Sequence, residues 1–108
     1  MNDRLALGTV QFGLGYGVAN KSGIVALEEV RRIIAAAATA GMRTLDTAIA
    51  YGKSERVLGS CNVTGWEIVT KLPAVPDDCD GIEVWLLEQI EKSLARLNVD
   101  SVYGVLLH

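Results

Sequence analysis

Segments of two kinds alternate along the chain, and this alternation constrains its fold more than any other feature. Four segments are apolar, β-branched or aromatic and too short for helices; they cover residues 5–9, 42–46, 66–71 and 101–107. Between them lie segments with helical character, which begin at Leu27, at Ser54 and after an acidic turn at residues 76–81. The order β-α-β-α-β-α-β predicts parallel strands joined by right-handed helical crossovers.

The two longer helices are predicted from apolar residues that recur every three or four positions. In the first helix these are Leu27, Val30, Ile34, Ala37 and Ala38, and in the third they are Leu87, Ile90, Leu94 and Leu97. Glu28 and Glu29 lie in the first turn of the first helix, where the helix dipole favours acids. Gly41 and Asn98 stand where left-handed C-terminal caps are expected.

The shorter elements are predicted from their boundaries. Residues 54–58 can form a short helix with Ser54 as N-cap, and Gly59 is expected to stop it. The last strand segment, residues 101–107, is almost continuously apolar. Such a run is typical of a parallel strand that is covered on both faces.

Two architectures fit this order of elements: a doubly wound open sheet, and the first half of a (β/α)8 barrel. The glycine-rich stretch Gly13-Leu14-Gly15-Tyr16-Gly17-Val18 tests the first. A dinucleotide-binding fingerprint needs a third glycine where Val18 stands, and it leads directly into a helix. Here the helix begins about ten residues later, so the fingerprint is excluded and the barrel is favoured.

Composition excludes several other classes of protein. Half of the residues are hydrophobic and 21% are charged, as in one ordinary globular domain, here residues 1–108. The net charge is -3 and the ten basic residues are scattered, so we expect no nucleic-acid partner. The sequence has no membrane-spanning run and no signal peptide at its start, which predicts a cytoplasmic protein. Cys61 and Cys79 lack metal-ligand spacing, so we expect no metal site.

Polar side chains mark the ends of three predicted strands. Asp46, Lys71 and His108 close the second, third and fourth strands, and Tyr51 follows in the loop after the second. The carboxyl ends of parallel strands share one rim, where barrel enzymes build their active sites. Each residue alone has an ordinary explanation as a loop cap, a rim aromatic or a solvated charge. Together, an acid, a phenol, an ammonium and an imidazole predict a catalytic site.

Four separated stretches carry a resemblance to a known family. They are residues 41–48, residues 51–55 with Leu58-Gly59, Val69-Thr70-Lys71, and residues 100–108. In order and spacing they resemble the aldo-keto reductases. The resemblance implies a (β/α)8 barrel, reduction of a small aldehyde or ketone by NADPH or NADH, and a catalytic tetrad of Asp46, Tyr51, Lys71 and His108. It also implies that Gly8, Thr9, Val10 and Asp46 contact the cofactor.

The chemistry gives each residue of the tetrad a reason. A carbonyl that accepts hydride becomes an alkoxide and needs a proton, and Tyr51 is the expected general acid. A nearby ammonium stabilises the phenolate that remains, which is the expected role of Lys71. Asp46 is the available partner for that charge. A ring N–H of His108 is expected to hydrogen-bond the carbonyl oxygen and orient it.

The length of the chain bears on activity. A complete barrel of this kind takes about 250 residues, and this chain has 108. We therefore expect the first four strands of a barrel, whose activity belongs to a longer protein. The alternatives are an inactive half-barrel with a structural or cofactor-binding role, and an unrelated small α/β enzyme. Half a barrel has two open edges and an uncovered inner face, so we also expect self-association.

Overall fold

The computed structural model describes residues 3–15 and 23–108 and contains one parallel sheet with the strand order β1-β2-β3-β4. The strands are β1 (Ala6–Gly8), β2 (Thr44–Asp46), β3 (Glu67–Leu72) and β4 (Gly104–Leu107). The helices are α1 (Leu27–Thr39), α2 (Ser54–Gly59) and α3 (Ile82–Leu97), and a 3-10 turn at Val10–Phe12 follows β1. The predicted alternation of strands and helices is confirmed. No helix within the described ranges combines the length and apolarity needed to cross a membrane.

All three strand pairs are parallel, so the four carboxyl ends lie at one edge of the sheet. The ladder continues into the loop after β2, because the amide of Thr47 donates to the carbonyl of Val69 at 2.9 Å and that of Ile49 to the carbonyl of Lys71 at 3.1 Å. At the same edge, between β3 and β4, the amide of His108 donates to the carbonyl of Leu72 at 3.2 Å. The backbone at this edge is therefore fixed by hydrogen bonds beyond the strands themselves.

The hydrophobic core lies between the sheet and the helices. Its buried members are Phe12, Val30, Ile34, Leu45, Leu58, Val63, Ile68 and Leu97. Burial of one such side chain stabilises the fold by about 1.5–3 kcal/mol. Val30, Ile34 and Leu97 come from the predicted helical stripes. Phe12 comes from the 3-10 turn after β1, where no helix or strand was predicted.

Both predicted C-terminal helix caps are confirmed. Gly41 has a φ of 92°, and its amide donates to the carbonyl of Ala38 while the amide of Met42 donates to that of Ala37. These two bonds form a Schellman motif, which needs the left-handed backbone that glycine adopts without strain. Asn98 ends α3 in the left-handed region, with φ 57° and ψ 45°.

The predicted N-cap of α2 is wrong. The capping position is Lys53, no side chain caps the helix, and Ser54 is its first residue. The hydroxyl of Ser54 is fully buried and bonds other groups instead. The helix also includes Gly59, which we expected to stop it.

Two predicted apolar surfaces are less buried than their patterns indicated. Leu87 was assigned to the inward stripe of α3, but it is 61% exposed. The last strand was expected to be covered on both faces, yet Leu106 and Leu107 are 50% and 79% exposed. For β4, its place in the sheet contributes, because it is an edge strand of the described sheet and its side away from β3 is open.

A buried ion pair connects α2, α3 and β3. Glu55 of α2 has a side chain only 2% exposed, and the guanidinium Nε of Arg96 in α3 donates to its Oε1 at 2.7 Å. The hydroxyl of Thr70 in β3 donates to the other carboxylate oxygen, also at 2.7 Å. A buried carboxylate is tolerated when its oxygens are paired in this way.

Candidate active site

The ammonium of Lys71 contacts several oxygen atoms at the carboxyl edge of the sheet. Its Nζ lies 2.9 and 3.0 Å from the two carboxylate oxygens of Asp46 and 3.0 Å from the carbonyl oxygen of Thr47. It also lies 3.3 Å from the phenol oxygen of Tyr51. The Lys71 side chain is 14% exposed and that of Asp46 is 37% exposed. The charge is thus held among fixed acceptors, although its carboxylate partner still reaches solvent.

Opposing effects set the pKa of Lys71. Burial lowers it, because a charged ammonium loses solvation. Hydrogen bonds to Asp46 and Tyr51, together with the charge of Asp46, raise it and prevail, so the pKa of Lys71 lies above its usual value. Lys71 is therefore a permanent cation at neutral pH, next to the hydroxyl of Tyr51.

Tyr51 and His108 complete the group of four. The two rings pack edge to face, with centroids 5.6 Å apart and planes at 86°. Tyr51 comes from the loop after β2, and His108 follows β4. The structure thus brings together all four residues that the sequence predicted for the tetrad, through contacts that run from Asp46 to Lys71, to Tyr51 and to His108.

A cavity of about 280 Å³ opens beside the two rings. It is lined by Val10, Leu14, Ala50, Tyr51 and His108. Its walls are apolar except for the phenol and the imidazole, which suits a small molecule with one polar group. Leu14 and Ala50 were not predicted as site residues, because their only signal in the sequence was an apolar side chain inside a loop.

The loop that carries Tyr51 is held by a close backbone approach. Gly13 is buried against this loop, and a Cβ atom there would overlap the carbonyl of Tyr51 and the amide of Ser54. The amide of Ser54 donates to the carbonyl of Tyr51 at 3.0 Å. A residue without a side chain is required at Gly13 for the Tyr51 loop to occupy its position. Gly17 and Val18, which follow in the glycine-rich stretch, lie outside the described residues.

The residues expected to contact a cofactor differ in what they offer. Gly8 is exposed at the end of β1, and open space surrounds the position of a Cβ there. Val10 lines the cavity. Thr9 is fully buried, and its hydroxyl donates to the carbonyl of Asp46 at 2.8 Å. Gly8, Val10 and the accessible carboxylate of Asp46 therefore fit a cofactor above the sheet edge, whereas the side chain of Thr9 faces away from it.

Within residues 3–15 and 23–108, no three His, Cys, Asp or Glu side chains are grouped so that they could hold a metal ion. The polarising charge at this site is the ammonium of Lys71.

Solved structures resemble the chain closely. Two structures from Pseudomonas aeruginosa, each described as an aldo-keto reductase, match with TM-scores of 0.79 and 0.77, at 35% and 33% sequence identity. Both matches cover 95% of this chain but only 41% and 40% of the other. The chain thus spans about two fifths of the length of these relatives, and its four strands and alternating helices correspond to part of their (β/α) barrel.

A more distant match supports the fold alone. An aldose reductase from Giardia lamblia aligns with a TM-score of 0.58 at 22% identity, over 89% of this chain and 32% of the other. No curated protein sequence matches the chain significantly. The model of the aldo/keto reductase family matches residues 4–108, nearly the whole sequence. With the carboxyl-edge geometry, this match means that the chain belongs to the aldo/keto reductase family.

Proposed function

We propose that this site reduces the carbonyl of a small aldehyde or ketone at the expense of NADPH or NADH, with Tyr51 as the general acid. Family membership supports an oxidoreductase. One observation carries the proposed role of Tyr51. The Nζ of Lys71 lies 2.9 Å from the Oδ1 of Asp46 and 3.3 Å from the phenol oxygen of Tyr51, beside a cavity that Tyr51 and His108 both line.

The reacting carbonyl would lie in the cavity with its oxygen toward the two rings. The reduced nicotinamide, when bound, supplies hydride to the carbonyl carbon. Tyr51 donates its hydroxyl proton to the oxygen as negative charge develops there. A ring N–H of His108 donates a hydrogen bond to the same oxygen and orients it. The apolar side chains of Val10, Leu14 and Ala50 would contact the carbon skeleton of the substrate.

Lys71 and Asp46 prepare Tyr51 for this step. The ammonium stabilises the phenolate that Tyr51 becomes, and it is already in place before the reaction begins. The carboxylate of Asp46 and the carbonyl of Thr47 hold the ammonium at that position. Because these acceptors leave Lys71 charged at neutral pH, its electrostatic effect on Tyr51 does not depend on pH in that range.

The cofactor would be held at the same edge. Gly8 allows its close approach to the end of β1, Val10 offers an apolar contact, and Asp46 offers carboxylate oxygens. The chain spans 41% of the length of its relative. Binding of NADPH and NADH to the chain is therefore measured first, by titration with fluorescence detection, before turnover is measured.

The catalytic test compares two tyrosines. Tyr51→Phe removes the hydroxyl beside Lys71, whereas Tyr103→Phe changes a side chain that is 71% exposed and directly precedes β4, at the end of that strand opposite to His108. We expect Tyr51→Phe to lower carbonyl reduction by about 10²–10⁴-fold, the usual contribution of a positioned acid. Binding of NADPH should stay the same, and Tyr103→Phe should behave as the unchanged protein. The measurement is NADPH oxidation with a panel of small aldehydes and ketones.

Two outcomes would contradict the proposal. Turnover of Tyr51→Phe equal to that of Tyr103→Phe would remove Tyr51 as the acid. Saturable cofactor binding without turnover of any carbonyl in the panel would favour the second candidate, a cofactor-binding module.

That second candidate includes self-association, which the edges of the sheet favour. Both β1 and β4 have a neighbour on one side only in the described sheet, and Leu106 and Leu107 on β4 are largely exposed. An exposed apolar edge strand pairs readily with another copy. We propose that a second copy of this chain covers β4. Sedimentation at increasing concentration should show dimers, and Leu107→Lys should weaken them. A monomer at every concentration would contradict this proposal.

A further inference from the structure

Three buried hydroxyl groups form a hydrogen-bonded cluster directly behind the Lys71 site. Thr9, Thr47 and Ser54 are each fully buried. The Oγ of Ser54 lies 2.9 Å from the Oγ1 of Thr9 and 2.9 Å from the Oγ1 of Thr47. It also lies 3.1 Å from the carbonyl oxygen of Thr9. The cluster joins the turn after β1, the end of β2 and the start of α2.

The direction of these hydrogen bonds follows from the number of protons. The Oγ1 of Thr9 lies 2.8 Å from the carbonyl oxygen of Asp46, which only accepts, so Thr9 must donate there. Thr9 has no second proton, so the single proton of Ser54 is shared between the Oγ1 and the carbonyl oxygen of Thr9. Ser54 has then used its own proton, so the hydroxyl of Thr47 donates to Ser54. The cluster is a chain of donors that runs from Thr47 through Ser54 and Thr9 to Asp46.

Both ends of this chain hold acceptors of the Lys71 ammonium. The carbonyl of Asp46 receives the hydroxyl of Thr9, while its carboxylate receives Lys71 at 2.9 Å. Thr47 donates its hydroxyl into the cluster, while its carbonyl receives Lys71 at 3.0 Å. The cluster thus fixes the Asp46–Thr47 backbone from the side opposite to the ammonium. Ser54 also links it to the Tyr51 loop, since its amide donates to the carbonyl of Tyr51.

We propose that Thr47, Ser54 and Thr9 are positioning residues, whose buried hydroxyls hold the acceptors of Lys71 so that its ammonium stays against Tyr51. The catalytic consequence rests on the proposed function, but the positioning itself does not. None of the three hydroxyls reaches the cavity, whose lining is formed by other residues. They act through Lys71, and the ammonium is where their loss should be measured.

The test uses two variants of Thr47. Thr47→Val keeps the shape and removes the hydroxyl, whereas Thr47→Ser keeps the hydroxyl and removes a methyl group. The titration of the Lys71 side chain is followed by nuclear magnetic resonance of labelled lysine, with Lys71→Met to assign the signal. We expect Lys71 to titrate at lower pH in Thr47→Val, because its contacts with Asp46 and Tyr51 lengthen. Thr47→Ser should titrate as the unchanged protein.

Every outcome decides for or against the positioning role. Unchanged titration of Lys71 in Thr47→Val, even with reduced stability, would mean that the hydroxyls only support the fold. An equal shift in both variants would assign the effect to packing and would also overturn the proposal. If Thr47→Val does not fold, Ser54→Ala is measured in the same way, because it removes one oxygen atom from the centre of the cluster.

Failure of this inference is distinct from failure of the proposed function. The Lys71 titration requires no substrate, no cofactor and no turnover. If Tyr51→Phe retained full activity, the proposed acid would be lost while the response of Lys71 to Thr47→Val could still be observed. If Lys71 did not respond, the positioning role would be lost while Tyr51 remained a candidate acid.

Discussion

Thr70 and Lys71 are neighbours on β3, but they join two ionic networks on opposite faces of the sheet. Thr70 donates to Glu55, which is paired with Arg96 and is 2% exposed. Lys71 is paired with Asp46, which is 37% exposed. The first network is closed, because Glu55 is buried and each of its carboxylate oxygens has its own protein partner. The second opens onto Tyr51 and the cavity beside it.

The difference between the two networks separates structure from chemistry. A carboxylate that is sealed between two helices and a strand cannot meet a ligand, and its burial is tolerated only because of its partners. An ammonium with a solvated partner keeps its field available to a phenol and to a bound molecule. We therefore assign the Glu55 network to the rigidity of the scaffold, and we propose that the Lys71 network serves the reduction.

The largest expected effect on stability comes from breaking the closed network. Arg96→Met leaves Glu55 buried with one partner, and we expect the free energy of unfolding to fall by about 3 kcal/mol. Urea denaturation measures it. The double variant Glu55→Leu with Arg96→Met should lose less unfolding free energy than Arg96→Met alone, because no unpaired charge remains buried. Equal losses in the two would mean that packing, and not the charge, dominates.

Breaking the Lys71 network should lower the free energy of unfolding by less than breaking the Glu55 network. In Lys71→Met the carboxylate of Asp46 can be solvated, so we expect a loss of about 1 kcal/mol at neutral pH. The raised pKa of Lys71 means that this contribution is complete below its unfolded value of 10.5 and is lost as the pH rises through the folded value. The stability difference between the unchanged protein and Lys71→Met should therefore shrink only in strongly alkaline solution. A larger loss than in Arg96→Met would reverse the comparison.

The smallest effect is expected at a surface pair on α1. Arg32 contacts Glu29 at 2.6 Å, but its side chain is 70% exposed. Solvent screens such pairs, and their geometry costs side-chain entropy. Arg32→Ala should leave the urea midpoint unchanged within error, which makes it the matched control for Arg96→Met. A loss comparable with that of Arg96→Met would show that burial does not distinguish the networks.

The sequence predicted the elements better than it predicted their surroundings. The strand and helix order, Gly41 and Asn98 were correct because periodicity and caps are local signals. Leu87 and the outer half of β4 were assigned to buried positions, since an apolar pattern does not tell which neighbour will cover it. Ser54 was read as a cap because serine is common there, whereas tertiary contacts gave its hydroxyl other partners.

The sequence by itself determined that an acid, a phenol, an ammonium and an imidazole follow strands of one parallel sheet, because strand ends can be read from local patterns. Only the tertiary structure decided that these groups touch, that Thr70 and Lys71 serve separate networks, and that Thr9 faces the interior. Those contacts join residues between 15 and 57 positions apart. Which side chain meets which depends on the direction of each Cα–Cβ bond across several elements, and no local pattern carries that information.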